Sequence, residues 1–148
     1  MCGIVGSVNL KEAPPVPAEV LQNMLAMIRH RGPDEFGLYR DAWAGLGSAR
    51  LSIIDLSGGQ QPIGNEDGSL WIVFNGEIFN YVELRPELET RGHRFTTHCD
   101  TEVILHLYED YGPDCLNVLN GQFAIAIWDT RKRELFLATA RHCVEQLG

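Results

Sequence analysis

The chain has 148 residues, 45% hydrophobic and 22% charged, the length and balance of one ordinary globular domain with a core of its own. With 12 Lys+Arg against 20 Asp+Glu it carries a formal charge of −8, and no dense basic cluster offsets this, which argues against a nucleic-acid surface. No apolar run approaches the roughly 18 residues that span a bilayer, and the N-terminus lacks a basic-then-apolar secretion signal, so a cytoplasmic location and no membrane partner are expected.

The chain opens on Met1-Cys2-Gly3-Ile4-Val5-Gly6, with Ile4 to Asn9 read as a short apolar strand and Cys2 at its exposed end. Removal of Met1 would leave Cys2 with a thiol and a free α-amine on one carbon. An α-amine has a pKa of roughly 7.7–8.0 and can accept a proton near neutrality. Nucleophile and base would then share one residue, the N-terminal-amine form of an activated nucleophile. The plainer reading is a small buried residue at the start of a strand.

Ala13-Pro14-Pro15-Val16-Pro17 cannot continue a strand and leads into a helix, where Leu21, Met24, Leu25 and Ile28 form one apolar stripe. That helix stops at His30-Arg31-Gly32-Pro33-Asp34. Phe36 to Arg40 and Trp43 to Ser48 read as a hairpin, followed by an extended piece, Arg50 to Asp55, and a plain turn at Ser57-Gly58-Gly59-Gln60. Leu70 to Phe74 is a continuous apolar run, expected as a strand buried on both faces. Val82 to Thr90 predicts a helix ended by Gly92, and His93 to His98 predicts a strand. Asp100-Thr101 opens a helix with Val103, Ile104, Leu107 and Tyr108 on one face, and Pro113 to Leu119 predicts a short helix. Phe123 to Trp128 is a core strand, and Asp129 to Arg133 turns the chain into Glu134 to Ala138.

Three positions carry possible chemistry beside ordinary structural roles. Asn75-Gly76 between apolar stretches is a strong hairpin signal, and the same tight turn would project the Gly76 N–H and the Asn75 carboxamide toward a developing oxyanion. Asp100 is a good helix N-cap and, alternatively, an acceptor for a substrate ammonium. Arg50 is by default a surface arginine, or a two-pronged ligand for a carboxylate. The cysteines Cys2, Cys99, Cys115 and Cys143 form no Cys-x-x-Cys pair, and His93, His98 and Cys99 have no second group at ligand spacing, so no metal is expected.

Taken together, six blocks resemble the class II glutamine amidotransferase domain, an N-terminal-nucleophile hydrolase, and most of all the glutaminase half of the glutamine-dependent asparagine synthetases. They are Met1-Cys2-Gly3-Ile4-Val5-Gly6, His30-Arg31-Gly32-Pro33-Asp34, Arg50-Leu51-Ser52-Ile53-Ile54-Asp55, Phe74-Asn75-Gly76-Glu77-Ile78-Phe79-Asn80-Tyr81, Cys99-Asp100-Thr101-Glu102 and Gly121 to Asp129. The resemblance implies an α+β fold, an αββα sandwich of antiparallel sheets shortened at its C-terminus, with residues 1–148 as one amidotransferase domain lacking a synthetase domain. It implies that Cys2 attacks the side-chain amide of L-glutamine, that Asn75 and Gly76 hold the oxyanion, that Arg50 with backbone groups at Ile53 and Ile54 takes the α-carboxylate, and that Asp100 with the Glu77 backbone takes the α-ammonium. The Arg31-Gly32-Pro33-Asp34 loop would border this site. No cofactor is implied in this domain, ATP and Mg belonging to the synthetase domain or subunit that would consume the ammonia, and a homodimer is compatible with the family. Two departures stand out: Ser48 and Ala49 replace a histidine and a basic residue, and the family's Arg-Asp-Arg continuation after Ala138 is here Thr139 to Gly148. The rival readings are a non-catalytic glutamine- or partner-binding module of the same fold, and a metal or redox site around His93, His98 and Cys99.

Overall fold

A computed structural model describes residues 2–50 and 59–140. Among the described residues, seven strands and three α-helices follow in the order β1 (Gly3–Val8), α1 (Ala18–Met27), β2 (Glu35–Arg40), β3 (Ala44–Arg50), β4 (Ile63–Gly64), β5 (Leu70–Ile78), α2 (Tyr81–Thr90), α3 (Asp100–Tyr111), β6 (Gly121–Asp129) and β7 (Glu134–Ala140). The strands form two antiparallel sheets, β1-β3-β2 and β4-β5-β6-β7. The expected hairpin at residues 36–48 is the β2–β3 pair, with Tyr39 opposite Leu46.

Side-chain alternation along the strands assigns each face. Ile4 and Val8 of β1 and Ala44 and Leu46 of β3 pack against Val73 of β5 and Ala126 and Trp128 of β6, closing the space between the sheets. The opposite faces of β5 and β6 carry Ile72, Phe74, Ile125 and Ile127, which pack with Leu88 of α2 and Val103, Ile104 and Leu107 of α3. This is why residues 70–74 read as apolar throughout: the strand has a core on each side. On the outer face of the three-stranded sheet, α1 buries Leu21 and Leu25. A Cβ on Gly45 would lie 2.4 Å from Leu21 Cδ1, so the absence of a side chain on β3 sets how closely the helix approaches. Helix, sheet, sheet and helix pair follow one another, the layering expected of an αββα sandwich.

Two local expectations are corrected. Asn75-Gly76 is not a hairpin turn: β5 continues to Ile78, with Asn75 opposite Ala124 and Gly76 opposite Phe123 of β6. The glycine is needed for another reason, since Gly76 has φ of 153° and a Cβ there would lie 2.0 Å from Gln122 O. His93 to His98 is not a strand, because its amides are taken by other groups. His93 N–H donates to Leu88 O at 3.1 Å, Arg94 N–H to Glu66 Oε1 at 3.1 Å, and Thr96 and Thr97 N–H to the Glu102 carboxylate at 2.8 and 2.7 Å. A short strand the sequence did not announce, β4, pairs Ile63 with Ile72, and beyond it Gln61 Oε1 accepts the Phe74 N–H at 2.6 Å.

Asp41, in the β2–β3 turn, ties the sheets together. Its Oδ1 accepts the Trp43 and Ala44 N–H groups, both at 2.7 Å, and its Oδ2 accepts Tyr39 Oη–H at 3.0 Å and Trp128 Nε1–H at 2.6 Å. Burial alone would raise the Asp41 pKa, but these donors outweigh it and hold the carboxyl below the usual aspartate value. Beside it Tyr39 stacks on Trp71 with ring centroids 4.3 Å apart.

Candidate functional site

The end of the sandwich remote from Asp41 gathers most of the residues singled out above. Cys2 is half-buried and directly precedes β1. Gly3 pairs with Ala49 and Ile4 with Ser48, so one further step of the antiparallel register sets Cys2 across from Arg50. On the facing sheet Asn75 follows Val73 on the side of β5 turned toward β1 and β3. Ile4 and Val73 share the inter-sheet core, and Cys2 and Asn75 are each the next residue on that face, moving away from Asp41. Asn75 is half-buried and Gly76 exposed.

Arg50 ends β3 and is 7% exposed. Its Nη1 donates to Glu35 Oε2 at 3.1 Å, an ion pair that anchors the guanidinium to the neighbouring strand β2. A Cβ placed on Gly59 would lie 3.2 Å from Cys99 Sγ and 3.5 Å from Arg50 Nη2, so the end of β3, Gly59 and the start of α3 crowd one spot. The Arg31-Gly32-Pro33-Asp34 loop reaches the same strand end, with Asp34 N–H donating to Arg50 O at 3.1 Å. Arg50 is therefore a built-in, buried cation and not the surface arginine of the default reading. Ile53 and Ile54 lie outside the described residues.

Asp100 is the first residue of α3, with Cys99 at the N-cap position and no side-chain cap there, one place from the expected start. Its Oδ2 accepts the Ile78 N–H at 3.0 Å, which joins the helix start to the end of β5 just past Asn75, Gly76 and Glu77. Burial pushes the Asp100 carboxyl above the ordinary aspartate value, the Ile78 and Thr101 N–H donors oppose this, and the Glu77 charge adds to it. A carboxyl in that state gains from a cation placed beside it. Glu77 itself is exposed, so only its backbone is fixed by the sheet.

Three further residues support this site, none of them assigned a role in it from the sequence. Glu35 holds Arg50. Cys99 lies against Gly59, and burial raises its thiol pKa. Glu102, 2% exposed, also accepts the Thr96 and Thr97 hydroxyls, at 3.0 and 2.7 Å, and so fixes the connection that leads into Cys99 and Asp100. Its signal was partial: Glu102 stands three residues after the N-cap, as the glutamate of a capping box does, but Cys99 takes the place of the Ser or Thr such a box needs, and the glutamate reaches back to Thr96 and Thr97 instead. Ser48, where the resemblance leads one to expect a histidine, is 1% exposed and its Oγ has no hydrogen-bond partner among the described residues. His98 is exposed while Cys99 is buried, and the potential ligand group that includes His93 contains neither.

Chemically, this end of the molecule offers a cysteine one residue from the chain start between two sheets, a carboxamide and a strand amide on the facing sheet, a guanidinium anchored by an ion pair, and a carboxylate at a helix start. Such a set can hold a zwitterion by both charges and present a third group to a nucleophile. Among the described residues no helix is long and apolar enough to cross a membrane.

Comparison with known proteins gives a consistent answer. The family described as "Glutamine amidotransferase domain" matches residues 1–147. The chain is 45% identical over 138 residues to asparagine synthetase (glutamine-hydrolyzing) 1 of Bacillus subtilis (strain 168), covering 92% of this chain and 22% of that protein. It is 43% identical over 140 residues to a probable asparagine synthetase (glutamine-hydrolyzing) of Dictyostelium discoideum, covering 93% and 25%. The chain thus spans a quarter or less of the length of these relatives. Among solved structures, the glutamine phosphoribosylpyrophosphate amidotransferase of B. subtilis, complexed with ADP and GMP, aligns with a TM-score of 0.53 and 27% identity over 68% of this chain and 23% of that one.

Proposed function

Because the chain belongs to the glutamine amidotransferase domain family, we propose that it hydrolyses L-glutamine to glutamate and ammonia through a thioester on Cys2. The Sγ of Cys2 attacks the side-chain amide carbon, and the α-amine takes the thiol proton and returns it to the departing ammonia. Asn75 and the Gly76 N–H stabilise the tetrahedral oxyanion between those two events. Water then cleaves the thioester, giving glutamate and the free thiol. Arg50, with Ile53 and Ile54, receives the α-carboxylate, and Asp100 with the Glu77 backbone receives the α-ammonium. Domain chemistry of this kind needs no cofactor for the hydrolytic half-reaction.

The observation that carries the reading is the Asp100–Ile78 hydrogen bond at 3.0 Å, which ties the ammonium acceptor to the strand bearing Asn75 and Gly76, on the side of the molecule where Arg50 ends β3. The relatives named asparagine synthetase (glutamine-hydrolyzing) support a further step, in which a synthetase domain or subunit uses the ammonia to make asparagine; ATP-dependent synthesis from aspartate in the cytoplasm is the form we propose for that step.

The test is N-terminal mass analysis followed by a glutaminase assay. Protein beginning at Cys2 is expected to release ammonia and glutamate in equal amounts, and Cys2→Ala to release neither. Asn75→Ala is expected to lower kcat by about 10²–10³-fold, the usual cost of one oxyanion donor. Processed protein that leaves glutamine intact, with Cys2→Ala indistinguishable from it, would replace this reading by a binding module of the same fold.

A further inference from the structure

A second group of chemistry-bearing side chains lies away from the glutamine site. Glu66, in the turn between β4 and β5, His93, in the α2–α3 connection, and His106, in the middle of α3, each place one potential ligand atom within 4.8 Å of the other two. His106 follows Asp100 by six residues on the same helix, a rise of about 9 Å, so the two sites are separate. We propose that Glu66, His93 and His106 form a binding site for one divalent transition-metal ion of the zinc class, which clamps three chain segments together.

Several observations support this beyond proximity. The two imidazole rings face each other with centroids 4.7 Å apart. His106 is 1% exposed, and its Nε2 has no hydrogen-bond partner among the described residues; the closest recorded carboxylate oxygen, on Glu102, is 3.9 Å away. A buried imidazole with an unsatisfied nitrogen is costly unless something occupies it. Carboxylates stand against both rings: for His106 only Nδ1 is held, as metal-bound histidines usually require of the nitrogen that does not bind, whereas His93 has one at each nitrogen, and an ion would take one of these two places. Glu109 Oε2 lies 2.7 Å from His106 Nδ1 and 3.4 Å from His93 Nδ1, and Asp110 Oδ1 lies 2.9 Å from His93 Nε2. Glu109 is itself positioned by Asn65 Nδ2–H at 2.7 Å. Glu66 is exposed, which leaves an entry path, and its Oε1 is engaged by Arg94 N–H, next to His93. Two imidazoles and a carboxylate suit zinc or its borderline neighbours better than calcium or magnesium, which prefer all-oxygen shells. The role is structural: the segment it fixes is the one whose far end Glu102 grips ahead of Asp100.

The site can be tested without reference to glutamine hydrolysis. Metal-free full-length protein carrying Cys2→Ala, which removes the terminal thiol as a competing ligand, is titrated with Zn²⁺ against a chromophoric chelator, and with Co²⁺ by visible absorption. The expected result is one equivalent per chain, a Co²⁺ spectrum without the intense near-ultraviolet sulfur-to-metal band, and affinity at least tenfold weaker in both His93→Gln and Glu66→Gln. These two residues are not fully buried, so their variants keep the fold, which circular dichroism verifies; His106 is left intact. Absence of stoichiometric binding, a thiolate band, or an affinity in either variant equal to that of the Cys2→Ala parent would overturn the proposal.

Discussion

At the scale of single residues, two aspartates are set in opposite electrostatic senses, and their substitutions should behave oppositely. Asp41 has its pKa held below the ordinary value because its hydrogen-bond donors outweigh burial. Its contribution to stability is present above about pH 4, the unfolded aspartate value, and is lost as pH falls through the lower folded value. Asp41→Ala strands the Trp43, Ala44 and Trp128 N–H donors and should cost about 2–4 kcal/mol, measured by urea unfolding. It should also flatten the acid limb of stability against pH. Asp100 has its pKa raised, burial being the largest cause. The folded state therefore binds its proton more tightly than the unfolded chain does, and stability declines as pH rises from the unfolded value through the folded one. Asp100→Asn keeps an oxygen for Ile78 N–H and should leave the midpoint of thermal unfolding at neutral pH unchanged or higher, while the KM for glutamine rises at least tenfold. A lower midpoint together with an unchanged KM would show that the carboxylate serves the helix start and not a substrate. Burial pushes the Cys115 thiol up to about 11 and also raises Cys99, while Cys2 is only half-buried. In a Cys143→Ser background, iodoacetamide at neutral pH should label Cys2 first, read by peptide mass mapping.

At the scale of elements, what the sequence conveyed depended on whether a segment's hydrogen bonds close locally. Helices α1 and α3 were legible from apolar periodicity, strands β1, β5 and β6 from apolar runs of strand length, and α2 from the glycine that ends it, because all of these report covered faces or breaks local to the segment. Asn75-Gly76 misled because the hairpin rule assumes a partner immediately downstream, whereas β5 pairs with β6 after α2 and α3 have intervened. Residues 93–98 misled because alternation says nothing about carboxylates arriving from elsewhere, here Glu102 and Glu66. Strand β4 has only 2 residues, too short for any period to register. The candidate site was legible where one motif held it, as at Cys2 and Asp100. It was illegible where support crosses between elements, as Glu35 does to reach Arg50. Two substitutions probe element packing directly. Leu21→Ala removes the fully buried side chain that seats α1 on Gly45 and should cost about 2–5 kcal/mol, seen in chemical unfolding with unchanged m-value. Gly76→Ala forces a Cβ toward Gln122 O and should lower the melting temperature and abolish turnover together, because β5 must move off β6 to accommodate it.

For the whole molecule, the two sheets do different work. The three-stranded sheet brings Cys2 and Arg50 to its end, and the four-stranded sheet brings Asn75, Gly76 and, through Ile78, Asp100. Neither sheet holds the proposed zwitterion site alone, so anything that changes their spacing should reach chemistry at the far end. Asp41→Asn, milder than alanine, is expected to raise the KM for glutamine modestly, although Asp41 lies at the opposite end of the sandwich from Cys2. The uninterrupted run of β5 through Asn75 and Gly76 has a thermal corollary. Enzymes whose reactive donors hang on a mobile loop commonly fade well before they melt. Here the residues that carry those donors lie within the central strand, so residual turnover on heating should track the cooperative loss of far-ultraviolet ellipticity degree for degree, with no interval in which folded protein has already gone silent.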